Sequence, residues 1–282
     1  MRVIAPGKLV LTGAYAVLDG APAIVVAVDR YAVVDLVAPD DVDVRALHDH
    51  DGRKLGLGSS AASLVASQGA RALARGEDLG DPEVRAILFR GVREVHAHQQ
   101  RGGSGVDVAA AVHGGALRYV NGSKEASIRA IELPPGLVLR VFWSGTSART
   151  SELRARVDAL CVHSPFALAI LHRLAGMAAS AVDARDTPAF IRAARDYGRA
   201  LDGLGRAADA PIVPPAFAEL ATLAEASGAA FLPSGAGGGD VAVWLDLASP
   251  SAAFVERAGA LGMRPLPLSV DRGGVRLQLP SS

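Results

Sequence analysis

Residues 54–74 read KLGLGSSAASLVASQGARALA, a run of glycines and serines followed by an alanine-rich segment of helical spacing. The spacing predicts a helix from Ser59 to Arg75. A helix N-terminus exposes unpaired backbone N–H groups and the positive end of the helix dipole, and glycines let another molecule approach that backbone. Such a site suits a phosphate. The alternative is a plain serine N-cap, at Ser59 or Ser60, in front of a buried helix.

The composition limits the classes of protein to consider. The chain has 282 residues, of which 50% are hydrophobic, enough for one large domain or two fused lobes. Lys plus Arg and Asp plus Glu number 29 each, so no overall positive field favours nucleic acid or an anionic membrane. Cys161 is the only cysteine, which excludes an internal disulfide and a cysteine-based zinc cluster. Any anion site must therefore be local.

The N-terminus does not read as a secretory signal. MRVIAPGKLVL contains a proline and a lysine where a signal peptide needs an unbroken apolar stretch. No segment reaches the roughly 18 uncharged apolar residues of a membrane span. With one cysteine, this predicts a soluble protein of the cytoplasm that binds neither nucleic acid nor membrane.

The order of the predicted elements is mixed α and β. The first part is strand-rich, with β-branched runs at residues 2–13, 22–38 and 42–48. Helices are predicted at 59–75, 82–100 and from Asp107 to the Gly114–Gly115 pair, and strands at 115–122 and 136–145. A helical block follows over 151–205, in which Pro188 starts a new helix. Then come a helix at 215–227, a strand at 240–247, a helix at 251–261 and strands near 265–270 and 275–279.

Three glycine-rich segments carry a resemblance to a known family. They are APGKLVLTGAYAVLDG from Ala5, GLGSSAAS from Gly56 and PSGAGGGD from Pro233. Their order and places resemble the three signature motifs of the galactokinase, homoserine kinase, mevalonate kinase and phosphomevalonate kinase (GHMP kinase) superfamily. The chain has neither a P-loop lysine motif nor a dinucleotide fingerprint after its first strand.

The resemblance implies a two-lobed α+β fold. The N-terminal ATP-binding lobe, residues 1–148, would be of the ribosomal protein S5 domain 2 type. The C-terminal lobe, residues 149–282, would be ferredoxin-like.

The second segment resembles the phosphate-binding loop of that superfamily, which implies ATP and Mg²⁺ as cofactors. Ser60 matches a serine that positions magnesium, and Lys54 is placed to neutralise phosphate charge. Phosphoryl transfer needs positioning and charge neutralisation more than covalent chemistry. The residues expected to bind ATP are Lys54, Gly56, Leu57, Gly58, Ser59, Ser60 and Ala61.

An acidic residue that orients the acceptor is expected in HAHQQRGGSGVDVAAAVHGG, residues 96–115. It resembles an SG-x-D stretch of mevalonate and phosphomevalonate kinases, whose aspartate is Asp107 here. Lys8 matches the first-motif lysine beside that aspartate and the substrate. A Lys8–Asp107 charge pair would keep Asp107 ionised and stabilise a developing oxyanion. On its own, Asp107 could also be an ordinary first-turn carboxylate.

The acceptor side resembles the phosphomevalonate kinase branch, in AHQQRGGSGVDVAAAVHGG, in FWSGTSARTSELRARV and in the aspartate that closes the third segment. This implies transfer to a phosphorylated acid, bound by arginine and hydroxyl groups. For any one residue, a solvated histidine or a helix-flanking charge is the plain alternative. The expected contacts are His98, Gln99, Arg101, Ser104, Gly105, Arg149, Ser234, Gly235, Ala236 and Gly237.

Three departures from the family pattern leave alternatives open. Ala14 stands where the family has a glutamate, Leu232 stands where the branch often has a lysine, and the chain is shorter than most phosphomevalonate kinases. Glu94 is a candidate magnesium carboxylate, but its spacing from Asp107 does not match the mevalonate kinase pattern. Phosphomevalonate kinase is the first reading, and mevalonate kinase or another kinase of the superfamily is the second. A metabolite-binding regulator without turnover is the third, and a homodimer is left open.

Overall fold

A computed structural model describes residues 1–100, 102–122 and 125–278 of the chain. The described strands are β1 (Arg2–Thr12), β2 (Pro22–Asp35), β3 (Val42–Asp43), β4 (Ala116–Val120), β5 (Ser127–Ile131), β6 (Val138–Trp143), β7 (Ala230–Pro233), β8 (Val241–Asp246), β9 (Arg264–Leu266) and β10 (Arg276–Gln278). The described helices are α1 (Ser59–Ala74), α2 (Pro82–Gln99), α3 (Val106–His113), α4 (Thr150–His163), α5 (Ala169–Asp183), α6 (Thr187–Ala207), α7 (Pro215–Ala226) and α8 (Ala252–Ala260).

The first sheet has the strand order β10-β1-β2-β4-β5, with β3 paired to β2, and its pairs are antiparallel. The pairing of β1 with β2 shifts register between Pro6 and Gly7. Proline has no N–H for the ladder, so a bulge is where a strand tolerates it. A Cβ at Gly7 would lie 2.8 Å from the carbonyl oxygen of Leu57, so glycine lets β1 pass close to the loop before α1.

The second sheet has the order β7-β8-β6-β9, again antiparallel. One of its faces carries a separate aromatic core with edge-to-face ring contacts. The large side chains of this core are Phe142, Phe217, Phe231, Trp244 and Phe254.

Helices cover the first sheet and connect it to the second. α1 and α3 pack on β1, α5 packs on β2, and α6 packs on both α5 and β7. The buried Tyr197 of α6 donates its hydroxyl to the carbonyl oxygen of Ala14 at 2.7 Å. The long α6 therefore links the two sheets through one continuous core.

Most predicted elements are confirmed, including the break near Pro188, where α6 begins one residue earlier at Thr187. The predicted strand at 42–48 is wrong beyond Asp43, because the chain turns into a 3₁₀ turn over Arg45–Leu47. The predicted strand at 265–270 is shorter in the structure, Arg264–Leu266, and residue 279 lies outside the described residues. The strands β5 and β7 were not predicted.

The two sheets exchange segments along the chain. β6 precedes residue 148 but lies in the second sheet, and β10 follows it but lies in the first sheet. The division into units 1–148 and 149–282 stays a prediction. None of the helices over the described ranges combines the length and the apolarity that a bilayer crossing requires.

Candidate active site

Lys8 of β1 lies against the loop before α1. Its backbone N–H donates to Leu57 O at 2.9 Å, and its Nζ donates to Gly56 O at 3.1 Å. Burial lowers the pKa of Lys8, and the charges of Asp107 and Asp240 partly offset that effect. The ammonium group is therefore held in a confined place with two acidic groups within electrostatic range.

The loop before α1 has the glycine geometry that the sequence suggests. Gly56 and Gly58 both have a φ of 78°, in the left-handed region that favours glycine. Gly58 is the N-cap of α1, and no side chain caps that helix, so the proposed cap at Ser59 or Ser60 is wrong. The first-turn N–H groups of α1 consequently have no side-chain partner in the helix cap itself.

The side chains of this loop differ in how far they are exposed to solvent. Leu57 and Ala61 are buried, Ser59 is nearly so, Ser60 is half-buried and Lys54 is exposed. Ser147 Oγ donates to Lys54 O at 3.1 Å, which ties the loop to the segment before α4.

Gly58 lies between Lys8 and Asp107. A Cβ built at Gly58 would be 3.2 Å from Lys8 Cγ and 3.6 Å from Asp107 Cβ. Asp107, in the first turn of α3, accepts a hydrogen bond from Val108 N at 3.0 Å through Oδ1. Lys8 and Asp107 do not reach the predicted charge pair in the described part of the chain: no N–O distance between them is within 4.0 Å. The structure thus brings them to two sides of one glycine.

The third glycine-rich segment packs on the first two. Ser234 Oγ accepts from Val10 N at 2.9 Å, and Tyr15 OH donates to Ala236 O at 2.7 Å. A Cβ at Gly235 would lie 3.7 Å from Lys8 Nζ, whereas one at Gly237 would lie 2.0 Å from the backbone oxygen of Ile212. Gly235 therefore faces the lysine, and Gly237 faces the protein interior.

Asp240 is a candidate site residue that the site prediction left out. Its Oδ1 accepts from Ala148 N at 3.0 Å, and a Cβ at Gly56 would fall 2.8 Å from its Oδ2. Burial raises the pKa of Asp240, against the hydrogen bond from Ala148 and the charges of Lys8 and Lys54. The only sequence signal for Asp240 was its position at the end of the glycine run.

Three of the predicted acceptor contacts have exposed side chains. His98 and Gln99 are exposed near the end of α2, as is Glu94. Arg149, at the N-cap position of α4, is exposed and 3.3 Å from Glu152 Oε1. These side chains stay predictions as acceptor ligands, and Arg101 lies outside the described residues.

Ser104 and Gly105 are buried beside Asp107. The carbonyl oxygen of Ser104 accepts from Tyr119 OH, and Gly105, with a φ of 81°, is the N-cap of α3. A buried histidine of α2 also lies near Asp107. His96, for which a solvated side chain was the plain alternative, is only 3% exposed, and its Nε2 lies 3.7 Å from Asp107 Oδ2.

The loop fits a phosphate, and one of its hydroxyl groups could give an oxygen ligand to a metal ion. The helix start is uncapped by side chains, Gly58 leaves the space that a Cβ would fill between Lys8 and Asp107, and Ser60 offers a hydroxyl at the second helical position. Lys8 and the exposed Lys54 supply positive charge nearby. Backbone N–H groups, hydroxyl and ammonium groups are the donors that phosphate binding requires.

Part of the chain matches a family model of known kinases. Residues 41–115, which contain α1, α2 and the Asp107 turn, match the family model for the GHMP kinases N terminal domain. Among solved structures, a Lin0012 protein from Listeria innocua superimposes with a TM-score of 0.84 at 22% identity, over 98% of this chain and 99% of that one. A mevalonate kinase from L. major, solved with R-mevalonate, superimposes with a TM-score of 0.70 at 18% identity, over 96% of each chain. The chain thus has the GHMP kinase fold, as predicted from the three glycine segments.

Within that class, the similarity is to phosphomevalonate kinases. The phosphomevalonate kinase of Streptomyces sp. strain CL190 is 28% identical, over 96% of this chain and 97% of that protein. A phosphomevalonate kinase from Streptococcus pneumoniae, solved with phosphomevalonate and AMPPNP, has a TM-score of 0.80 at 19% identity, covering 96% of this chain and 99% of that one. The mevalonate kinase of Aeropyrum pernix is 35% identical over 103 residues, 36% of this chain and 29% of that protein. The resemblance to the GHMP kinases, and to phosphomevalonate kinase among them, is confirmed.

Proposed function

We propose that this protein is an ATP- and Mg²⁺-dependent phosphomevalonate kinase, which transfers the terminal phosphoryl group of ATP to phosphomevalonate and releases ADP and diphosphomevalonate. The observation that carries the proposal is the approach of Lys8 and Asp107 to Gly58 at the start of α1. The 28% identity to the Streptomyces enzyme over nearly the whole of both chains supports the choice of acceptor.

The N-terminus of α1 supplies the phosphate-binding part of this reaction. Its first-turn N–H groups and its dipole favour an anion, and Gly56 and Gly58 allow phosphate oxygens to approach the backbone. Ser60 is the residue proposed to hold the magnesium ion, which would neutralise phosphate charge when bound. Lys54 adds an exposed positive charge at the edge of the loop.

Lys8 and Asp107 supply the acceptor side. Two phosphate groups that approach each other repel strongly in a confined site of low dielectric constant. The Lys8 ammonium group, held between Gly56 O and Gly235, offsets that repulsion and stabilises the charge of the transition state. Asp107 orients the attacking group by hydrogen bonding or by repulsion, and accepts a proton where the acceptor oxygen carries one.

A second candidate is a mevalonate kinase, which phosphorylates an alcohol. The 35% identity to the Aeropyrum enzyme over 103 residues favours it, although that match covers 36% of this chain. A regulator without turnover is the reading from another class, since Ala14 and Leu232 are buried structural residues with no polar group to offer.

The deciding experiment is a coupled assay of ADP release with phosphomevalonate, mevalonate, homoserine and common sugars as acceptors. We expect the highest kcat/KM with phosphomevalonate. Preference for mevalonate would select the second candidate. ATP binding without transfer to any acceptor would replace the kinase proposal with the regulator.

Asp107 and Lys8 are then tested in a double-mutant cycle. Asp107→Asn keeps the shape and removes the charge, so turnover should fall about 10²- to 10⁴-fold with ATP affinity little changed. Lys8→Met should also lower turnover, and the double variant should lose less than the product of the two single losses because both residues act on one oxygen. Losses that simply multiply would contradict a joint role.

A further inference from the structure

The inference concerns the buried histidine behind Asp107, and it rests on the proposed function. His96 lies in the last turn of α2, and its side chain is 4% exposed. A polar side chain buried this deeply needs a partner for its ring nitrogens. Both polar contacts described for the ring are made by Nε2, which lies 2.8 Å from Gln100 Nε2 and 3.7 Å from Asp107 Oδ2.

The two oxygens of the Asp107 carboxylate have different neighbours. Oδ1 accepts from the backbone of Val108 within α3. Oδ2 faces the imidazole of α2, so two helices together determine the direction of the carboxylate. We call residues 56–60, before and at the start of α1, the phosphate loop. Gly58 of this loop lies next to Asp107: a Cβ built at Gly58 would be 3.6 Å from Asp107 Cβ.

The neighbours of the imidazole determine which ring nitrogen carries the proton. The amide nitrogen and oxygen of Gln100 exchange places by rotation of the side chain, so the amide can accept as well as donate. The structure places the Gln100 amide nitrogen toward the ring. When the amide is turned so that its oxygen faces the ring, Nε2 carries the proton, and Asp107 Oδ2 lies 3.7 Å from it as a second acceptor. At 3.7 Å the contact with Asp107 is an ion-pair distance, longer than a hydrogen bond. Contacts of this kind often tighten when substrate binds.

We propose that His96 is a positioning residue for Asp107: its Nε2–H, oriented by Gln100, holds the Asp107 carboxylate in the direction of the phosphate loop. His96 touches neither the loop nor the acceptor, so it acts on the reaction only through Asp107. The imidazole also supplies a polar neighbour for Oδ2, since the hydrogen bond from Val108 N is made to Oδ1.

The first test separates turnover from binding. His96→Leu should lower kcat for phosphomevalonate about 10- to 100-fold, with the KM for ATP little changed, because orientation of a catalytic group affects mainly the transition state. His96→Gln, which keeps an N–H donor, should recover part of the loss. The matched control is His172→Leu in α5, which removes another imidazole near a carboxylate, 3.9 Å from Asp19 Oδ2, and should leave kcat unchanged.

The second test asks whether His96 acts through Asp107. In an Asp107→Asn background, His96→Leu should cause no further loss of kcat. An equal loss in both backgrounds would show that His96 supports the fold and would overturn the proposal. So would equal falls in kcat for His96→Leu and His96→Gln with both variants folded by circular dichroism.

A third measurement separates this proposal from the proposed function. The ring ¹⁵N resonances of His96 in labelled protein should shift when Asp107 becomes Asn, and those of His172 should not. This readout needs no acceptor. Unmoved His96 resonances would overturn the positioning role even in an active kinase. Absence of transfer to phosphomevalonate would overturn the proposed function while the resonances still report the His96–Asp107 contact.

Discussion

At the scale of single residues, Asp240 is a buried acidic group whose position should lower the stability of the fold. It has a φ of 54°, and its carboxylate is packed against Gly56 beside Lys8 and Lys54. Its backbone N–H donates to Thr146 O and its carbonyl accepts from Ser144 N, both at 2.8 Å. Asp240 therefore connects the segment before α4 to the phosphate loop. Groups held in this way at functional sites are commonly not the most stable choice.

The Asp240→Asn variant tests that cost. Burial raises the pKa of Asp240, so the folded chain retains its proton at pH values where the unfolded chain has lost it, and the ionised carboxylate lowers stability at higher pH. Asparagine tolerates the left-handed backbone and can accept from Ala148 N. We expect the variant to have a higher Tm than the parent at pH 7, with the difference shrinking as the pH falls toward 3.8, the ordinary pKa of the group.

The Tm of Asp240→Asn and of the parent is measured by thermal unfolding between pH 3 and pH 8. ADP release by Asp240→Asn should also fall, because a charge beside Lys8 is lost. Asp246→Asn, at the other end of β8, is the control for loss of a carboxylate. A lower Tm at pH 7 for Asp240→Asn would mean that the charge of Asp240 stabilises the fold.

At the scale of elements, the third glycine-rich segment has two different faces. Gly235 and Gly237 both have positive φ, 88° and 75°, so any side chain there costs about 1–2 kcal/mol of backbone strain. Only Gly237 also meets backbone, at Ile212 O. The sequence predicts one site for both glycines, but the structure separates a face toward Lys8 from a packing face toward Ile212.

Gly235→Ala and Gly237→Ala should therefore behave differently. Gly235→Ala should keep most of the stability and lose turnover, because the new methyl group lies 3.7 Å from Lys8 Nζ. Gly237→Ala should lose stability first, since a Cβ 2.0 Å from a carbonyl oxygen forces the backbone to move. Urea unfolding and ADP release measured on both variants would decide it, and equal losses of stability would contradict the two-face description.

At the scale of the whole molecule, the C-terminal segment joins the two sheets. β9 belongs to the second sheet and β10 to the first, and the buried Asp271 lies between them. Its carboxylate accepts from Gly274 N at 2.8 Å, from Tyr31 OH at 2.8 Å and from Arg276. Burial by itself would raise the pKa of Asp271, but the hydrogen bonds from Arg276 and Tyr31 outweigh it and lower the pKa.

Asp271→Asn should destabilise the entire chain. Removing the charge takes the ion-pair partner from Arg276 and weakens the hydrogen bonds from Tyr31 OH and Gly274 N, which should cost about 1–3 kcal/mol. The control is Asp183→Asn on α5, whose pairs with Arg118 and Arg129 are exposed and worth at most about 1 kcal/mol. Circular dichroism in urea follows all elements, and fluorescence follows Trp143 and Trp244, which both lie in the second sheet.

We expect the urea midpoints of both signals to fall together in Asp271→Asn, because α6 and the C-terminal segment couple the sheets. A fall in the dichroism midpoint with an unchanged fluorescence midpoint would instead mean that the two sheets unfold separately.

The sequence by itself determined the parts of this protein whose signals are local. Helical and strand periodicity located most elements. The glycine-rich segments around Lys8, Gly58 and Ser234 indicated the fold through their resemblance to the motifs of a known family. Glycines before a helix are a property of a few neighbouring residues, and they predicted the phosphate loop. The short strands β5 and β7 were not predicted, because four or five residues show too little periodicity and their pairing partners are distant in the chain.

Only the tertiary structure decided which side chains share a space. Asp240 reaches Gly56 across 184 positions of sequence, and the 3.7 Å contact of His96 with Asp107 depends on how α2 packs against α3. Packing of distant elements buries the His96 side chain, and burial raises the pKa of Asp240. No local pattern encodes it, because exposure and electrostatic surroundings belong to the assembled core and not to the segment that carries the residue.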